Sequence, residues 1–527
     1  MKRPFLIPLF LTLLFTLLGF AVLGYHPGVE DDAVYLSAVK AAVHPTLYSH
    51  NAAFFKLQLQ ATLFDEFMAA FVNLSGLSVA WAELLCQFLS LFAVLWACRS
   101  IAAKLFASQT AQWAGVAAVS AFFALPVTGT ALTLADQYLH PRLMATACIL
   151  FAVDAILRRS RWLPAPLLLV AILLHPLMGA FGVSFCLFLM LALFEPLHER
   201  LRYWLRMPPD TLAAAAPLGW ILQPPTPSWT QALGTRRYYF LSNWAWYEWL
   251  GALAPLALFW ALWQWAHRRM ERLLDRVALA VFAYAVFQFL VAALILNAPA
   301  LVRLVPMQPM RFLHLVYIFM VLIGGCFLGR FVLRLYLYRW AIFLVVLYGG
   351  MYLSQRALFP ASPHIEWPNH SSSNPWLQAF DWVRHNTPED AYFALDPNAM
   401  AVPGEDYHSF RALAERSQLA DNVKDPAVVT QVPELGPIWQ RQLEKQAGWP
   451  HLTPAAFQQL RSDYGVDWVL IQFPAPAGLN CVWHNNLLAV CTILPATPLA
   501  PALSPLAPGG PFRHNSSQHS KRRHTSG

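Results

Sequence analysis

Ten apolar runs, most of them near twenty residues long, set the terms for this chain: 4–24, 77–98, 111–131, 142–157, 162–180, 181–198, 244–266, 277–297, 311–329 and 339–354. A helix of about 20 apolar residues crosses the hydrocarbon of a bilayer with every backbone polar group paired internally. So many runs predict a mainly α protein, a polytopic transmembrane helical bundle. The rest of the composition agrees. Only 12% of residues are charged, against about 25% in soluble proteins, and the mean hydropathy is +0.44. These values exclude a single soluble domain and a disordered charged chain. The 21 Trp and 17 Tyr suit the membrane–water interface.

The first run follows Met1-Lys2-Arg3, is longer than a signal-peptide core, and is followed by no A-x-A cleavage site. It reads as an uncleaved span. Basic residues mark the cytoplasmic ends: Lys2/Arg3, Arg99/Lys104, Arg158/Arg159/Arg161, Arg200/Arg202/Arg206, Arg268/Arg269/Arg272/Arg276 and Arg330/Arg334/Arg339. The net charge of +8 is therefore an orientation signal. No basic patch interleaved with stacking aromatics occurs, so nucleic acid is not an expected partner. This orientation puts 25–76, Asp136–Arg142, Ala298–Met310 and everything after about 355 outside. Parity then requires one more crossing between Arg206 and 244, for which 210–222 is the candidate, giving about 11 spans. The expected location is a bacterial inner membrane, multi-pass, with the C-terminal domain outside the cytoplasm.

Residues 1–354 thus form the membrane domain, with 25–76 as its first outer loop, and 355–496 a small α/β extracytoplasmic domain. In the latter Trp376, Phe380 and Val383 have helical spacing, 391–395 and 468–473 read as buried strands, and Thr453-Pro454 opens a helix over 454–462. Cys481 and Cys491 flank a hairpin with a loop at 485–487. They are either disulfide-bonded in an oxidising compartment or two unpaired thiols. Cys86, Cys98, Cys148, Cys186 and Cys326 lie in apolar runs and read as small hydrophobes. The tail 497–527, rich in Pro, Ser, His and Arg and carrying His514, His519 and His524, is expected to be disordered.

Few charges are left to explain, and they gather in the outer loops. Glu30, Asp31 and Asp32 follow the first span directly. Capping the next helix, 33–43, needs one carboxylate, or two with the dipole. Three neighbours repel unless a cation or a shared proton holds them. A divalent ion, Mg²⁺ or Mn²⁺, on Asp31 and Asp32 is one way to do so. A helix over 53–72, with Phe54, Leu57, Ala61, Phe64, Met68 and Phe71 on one side, either lies in the interface or packs on the bundle. Further outer loops offer Asp136, Gln137, His140 and Arg142, then His175 before Pro176, then Arg311 and His314. Arg142 and Arg311 stand at span starts against the positive-inside bias. Each meets a partner, snorkels to water, or contributes to a pocket for a lipid phosphate or pyrophosphate. Phe410–Ser417 reads as a salt-bridged helix face, and Gly404–His408 as a neighbouring surface.

An acid cluster beside a cationic, lipid-accessible pocket has the parts for sugar transfer from a phospholipid carrier. A carboxylate takes the acceptor's proton, and Arg or a metal receives the departing phosphate. The order of parts, with an acidic first outer loop, an interfacial helix, about 11 spans and an outer C-terminal domain, resembles the GT-C glycosyltransferases. The strings HPG-x-EDD, Asp136-Gln-Tyr-Leu-His-Pro-Arg142 and Phe410–Ser417 look like those of bacterial multi-pass proteins of this type. The resemblance implies an inverting, polyprenyl-phosphate-sugar-dependent enzyme. Glu30, Asp31 and Asp32 would be its catalytic motif, and the acceptor a glycan, lipid or protein. A transporter and a non-catalytic envelope assembly protein are the competing classes. No Walker loop, CxxC pair or HExxH motif is present.

Overall fold

A computed structural model of the chain describes residues 3–194 and 224–493. The crossing read at 210–222, the basic cluster Arg200/Arg202/Arg206 and the tail 497–527 lie outside the described residues. Within them, the fold is mainly helical with a small C-terminal sheet. Seven helices are long and apolar enough to cross a membrane: Leu6–Leu23, Val79–Leu105, Pro176–Leu193, Trp246–Arg268, Arg272–Asn297, Pro309–Leu333 and Leu337–Leu358. Three shorter helices, Gln109–Ala121, Pro141–Leu157 and Pro164–Leu174, pack among them. The last long helix buries only 6% of its apolar window against protein and leaves Val345 73% exposed. Such a surface suits hydrocarbon and is unfavourable in water.

Small residues let the helices meet closely. A Cβ on Gly115 would stand 2.5 Å from Cys326 Sγ, and one on Gly325 2.7 Å from the Ala114 carbonyl. The helices Gln109–Ala121 and Leu313–Leu328 therefore touch nearly backbone to backbone, as small residues permit in lipid.

Two expectations need correction, and a third is decided between its alternatives. The run 111–131 is not one helix. It ends at Ala121, passes through a turn at Phe122–Ala124, and continues as an antiparallel ribbon of β1 (Pro126–Val127) and β2 (Leu132–Thr133). Pro126 disfavours helical backbone at Leu125, and Gly129, at φ +62°, supplies the turn. The stretch 162–198 breaks at His175-Pro176, the alternative the sequence offers to a division at residue 180, into the helices Pro164–Leu174 and Pro176–Leu193. Proline has no N–H and opens a helix, while His175 Nδ1 accepts the Met178 N–H at 3.3 Å. The helix read over 53–72 is two helices, Ala53–Leu59 and Phe64–Ser75. The turn between them is pinned where the Leu63 N–H meets the Leu173 carbonyl at 2.8 Å. Ala61 is exposed, whereas Phe54, Phe55, Phe64 and Met68 share a core with Trp439 of the C-terminal region. This pair packs on protein.

The C-terminal sheet has the order β4 (Ser417–Gln418), β3 (Tyr392–Ala394), β5 (Trp468–Gln472), β7 (Leu488–Thr492), β6 (Asn480–His484). β3 runs parallel to β4 and β5; the other pairs are antiparallel. Alternate residues of β5 face opposite layers. Leu470 packs with Trp376, Phe380 and Val383 of helix Pro375–Asn386, and Val469 and Ile471 with Phe457 and Leu460 of helix Pro454–Tyr464. Thr453 caps that last helix by accepting the Ala456 N–H. Cys481 and Cys491 are register partners on β6 and β7 and form a disulfide.

The sheet region and the first loop form one unit at the same end of the bundle. Tyr25 bridges Ile365 and Val29 bridges His408. Lys40 Nζ donates to the Ala412 carbonyl at 2.8 Å and pairs with Glu415 at 2.7 Å. Within Phe410–Ser417, Arg411 is buried and its two terminal nitrogens grip the Asp425 carboxylate at 3.1 and 3.2 Å.

Candidate functional site

A cavity of about 740 Å³ opens between this unit and the bundle. Glu30, Asp31, Asp136, Gln137, His140, Arg142 and Arg311 line it. Asp32, His175 and His314 do not.

The first loop separates two adjacent carboxylates. Gly28, at φ +81°, turns the chain so that its N–H reaches Asp32 Oδ2 at 2.6 Å. Asp32 is buried and shares a hydrogen bond with Glu83. Burial raises its pKa to about 7, although the Gly28 N–H acts in the opposite direction. Asp31 sits one residue earlier, at the N-cap of Asp32–Val43, and turns the other way. Its side chain is 38% exposed, to the cavity. Its own N–H meets the Tyr138 hydroxyl oxygen at 3.2 Å.

Lys424, on the C-terminal side of the cavity, binds Asp31 Oδ1 at 3.2 Å and also Glu30. Burial alone would push the Asp31 carboxyl up. Lys424, with Arg142 and Arg311 behind it, outweighs burial and holds the group well below the usual carboxylate range. Asp31 is therefore ionised, with Oδ2 left without a hydrogen bond to Lys424.

His140 faces that oxygen. Its Nδ1 accepts the Arg142 N–H at 3.0 Å, capping Pro141–Leu157. The ring proton then belongs on Nε2, which stands 3.8 Å from Asp31 Oδ2. Burial, helped by Arg142, pushes the His140 pKa well down, so the ring is neutral.

Arg142 spends one nitrogen on Asp136, at 2.6 Å, and its Nη1 is buried with no hydrogen-bond partner. Arg311 stands on the short turn Pro309–Phe312. Its Nε is likewise buried and unpartnered, and no carboxylate pairs with it among the described residues. A third guanidinium, Arg236, donates to the Val423 carbonyl at 2.5 Å and keeps a buried Nε without a partner. Buried N–H groups without acceptors cost free energy, about 1–3 kcal/mol each and more on a charged group.

The remaining expected residues play supporting parts. Gln137 Nε2 donates to Gln355 at 2.8 Å. His314 Nε2 lies 3.1 Å from the Leu134 carbonyl, holding the loop that carries Asp136. The His175 ring is 5.8 Å, centre to centre, from that of His140. Glu248, which also lines the cavity, is occupied at the start of its own helix, accepting the Ala245 N–H at 2.8 Å.

Lys424 was not legible in the sequence, where it sits in an ordinary polar stretch, Asp421–Asp425. Arg236 carried only the signal of falling in an outer loop. The divalent ion considered for Asp31 and Asp32 does not fit this arrangement. The two carboxylates diverge, and the Glu30–Asp31 pair already holds a cation in Lys424. Chemically, the cavity offers one ionised carboxylate able to accept a proton, a neutral imidazole beside it, and a group of guanidiniums suited to phosphate. No protein-family model matches the chain, and no curated protein matches it.

Proposed function

We propose that this chain is a membrane glycosyltransferase of the GT-C type that moves a sugar from a polyprenyl-phosphate carrier to an acceptor on the extracytoplasmic face. One observation carries the reading: a single cavity holds ionised Asp31 together with two arginines whose buried N–H groups have no partner, Arg142 and Arg311. Its volume, about 740 Å³, is of the size that takes a small molecule or headgroup. The architecture that goes with this reading has eleven crossings. It treats the three shorter helices as crossings and adds the one read at 210–222.

In the proposed reaction the acceptor hydroxyl lies against Asp31 Oδ2. Asp31 takes its proton as the oxygen attacks the anomeric carbon, and the carrier phosphate leaves from the opposite face, with inversion. Arg142 and Arg311, both lining the cavity, receive the phosphate oxygens as charge develops on them. Arrival of that anion also offsets part of the positive field that keeps Asp31 acidic, so binding of the donor makes the carboxylate a better base. No step runs through a metal.

The test is transfer from a labelled polyprenyl-phosphate sugar in proteoliposomes. Asp31→Asn keeps the shape and removes the base, and should lower the rate by about 10²–10⁴. Transfer at the wild-type rate by a folded Asp31→Asn chain sinks the reading. Uptake of a solute without any transfer favours a transporter instead.

A further inference from the structure

Outside the cavity, a second polar cluster lies where the first loop meets the C-terminal region. His26 Nδ1 is 2.7 Å from Glu366 Oε1, and His408 Nε2 is 3.0 and 3.2 Å from the two oxygens of the same carboxylate. All three ligand atoms lie within 4.8 Å of one another. His26 and His408 are fully buried. None of the three residues lines the large cavity.

We propose that His26, Glu366 and His408 form a structural zinc site that clasps the first outer loop to the C-terminal domain. Two imidazole nitrogens and a carboxylate are a zinc donor set. Ligands about 2.0–2.2 Å from a tetrahedral ion stand about 3.3–3.6 Å apart, so an ion would widen the 2.7 Å His26–Glu366 contact by about 0.6–0.9 Å and bring the two imidazole nitrogens, now within 4.8 Å of each other, to the same spacing. The orientation of His408 is already fixed. His408 Nδ1 lies 2.9 Å from the Glu405 carbonyl, which places its proton there and leaves Nε2 toward Glu366, the arrangement that outer hydrogen bonds impose on metal-bound histidines. The backbone holds the other two: the His26 N–H donates to Gln137 at 2.7 Å, and the Glu366 N–H to Tyr25 at 2.9 Å.

A second observation points the same way. Glu405, three residues before His408, is fully buried, and neither of its carboxylate oxygens has a hydrogen-bond partner. Together with Glu366 it leaves this junction with more buried acid than hydrogen bonds satisfy. Glu366 carries the negative charge that a dication would offset. Phe359 covers one face of His26, with ring centres 3.9 Å apart, and closes the site on that side. Three protein ligands leave the fourth position of the tetrahedron to a water molecule. The inference does not depend on sugar transfer.

The experiment uses the full-length chain in detergent with His514, His519 and His524 changed to Ala, which removes the tail as a source of metal binding. After chelation and desalting, micromolar Zn²⁺ or Mg²⁺ is added and bound metal is measured by mass spectrometry. The expected result is about one zinc per chain, no retained magnesium, and a melting temperature that falls on chelation and returns with zinc. Co²⁺ in place of zinc should give visible absorption of a site with nitrogen and oxygen ligands. Glu366→Gln and His26→Asn should each lose the bound ion. A chain that retains no zinc and melts identically with and without chelator overturns the proposal. So does retention that both variants leave unchanged. The wild-type measurements stand even if a variant fails to fold.

Discussion

Lys424 Nζ lies 3.2 Å from Asp31 Oδ1 across a sequence separation of 393 residues, and the same nitrogen binds Glu30. An acid from the loop after the first long helix is thus tuned by a cation from the last fifth of the chain. Lys424 is only 8% exposed, while the Asp31 side chain is 38% exposed, so water screens the pair from the cavity side.

Removing that cation should be visible in the pH profile. Lys424 favours the ionised form of Asp31, so Lys424→Met raises the Asp31 pKa. The acid limb of kcat/KM, where transfer fails as Asp31 protonates, then moves to higher pH. Lys424→Arg keeps the charge and should largely restore the wild-type profile. An unmoved acid limb in Lys424→Met would mean that Asp31 is not the group being titrated.

The unpartnered guanidiniums make a prediction about substrate binding. Arg311→Gln removes a charged hydrogen-bond donor worth about 1.5–3 kcal/mol, roughly ten- to hundredfold in affinity. The effect should fall on the lipid-phosphate donor and leave the acceptor KM nearly unchanged. Steady-state transfer with each substrate varied in turn separates the two. An equal loss for both substrates argues against a phosphate role.

Asp32 gives a stability prediction that is independent of catalysis. Its folded pKa, raised to about 7 by burial beside Glu83, lies above the ordinary value of about 3.9. Between these values the folded chain binds more protons than the unfolded one. The stability from this group is complete below about pH 4 and is lost as pH rises through about 7. Denaturation midpoints in detergent should therefore fall from pH 5 to pH 8, and Asp32→Asn should flatten that slope. A slope that survives the substitution assigns it to another group.

Arg411 and Asp425 are both buried, with side-chain exposures of 2% and 0%. Removing one partner leaves the other charge unpaired and should cost about 3–5 kcal/mol. Asp425 also directly follows Lys424, and its carboxylate accepts the Asp421 N–H at 2.9 Å. Asp425→Asn should therefore lower the melting temperature and disturb Lys424 together. Arg411→Met with Asp425→Leu removes both charges and should recover much of the stability. Protease resistance and melting curves of the single and double variants decide this.

What the sequence revealed, and what it hid, follows from the range of the forces involved. The long spans are legible because lipid requires a continuous apolar stretch. The helix starting at Pro454 and the pairing of Cys481 with Cys491 are legible because caps and hairpin registers are local. The run 111–131 misleads because hydropathy stays high through Pro126 and Gly129, whose backbone preferences decide the matter. Glu30, Asp31 and Asp32 read as one cluster, yet successive residues at a helix start project in different directions. Only Glu30 and Asp31 reach the cavity. Asp31, Asp136, His140 and Arg311 could be grouped because topology puts their loops on one side. Lys424 could not, since its partners are set by how the C-terminal region docks.

The bridges from Tyr25 to Ile365 and from Val29 to His408 carry a consequence for biosynthesis. The acidic loop is among the first segments a ribosome makes, but the strand partners that fix it emerge more than three hundred residues later. Until then Asp31 has neither Lys424 beside it nor a wall opposite. A nascent or truncated chain would hold an unassembled site, and the cavity is complete only when the C-terminal region has been released and docks.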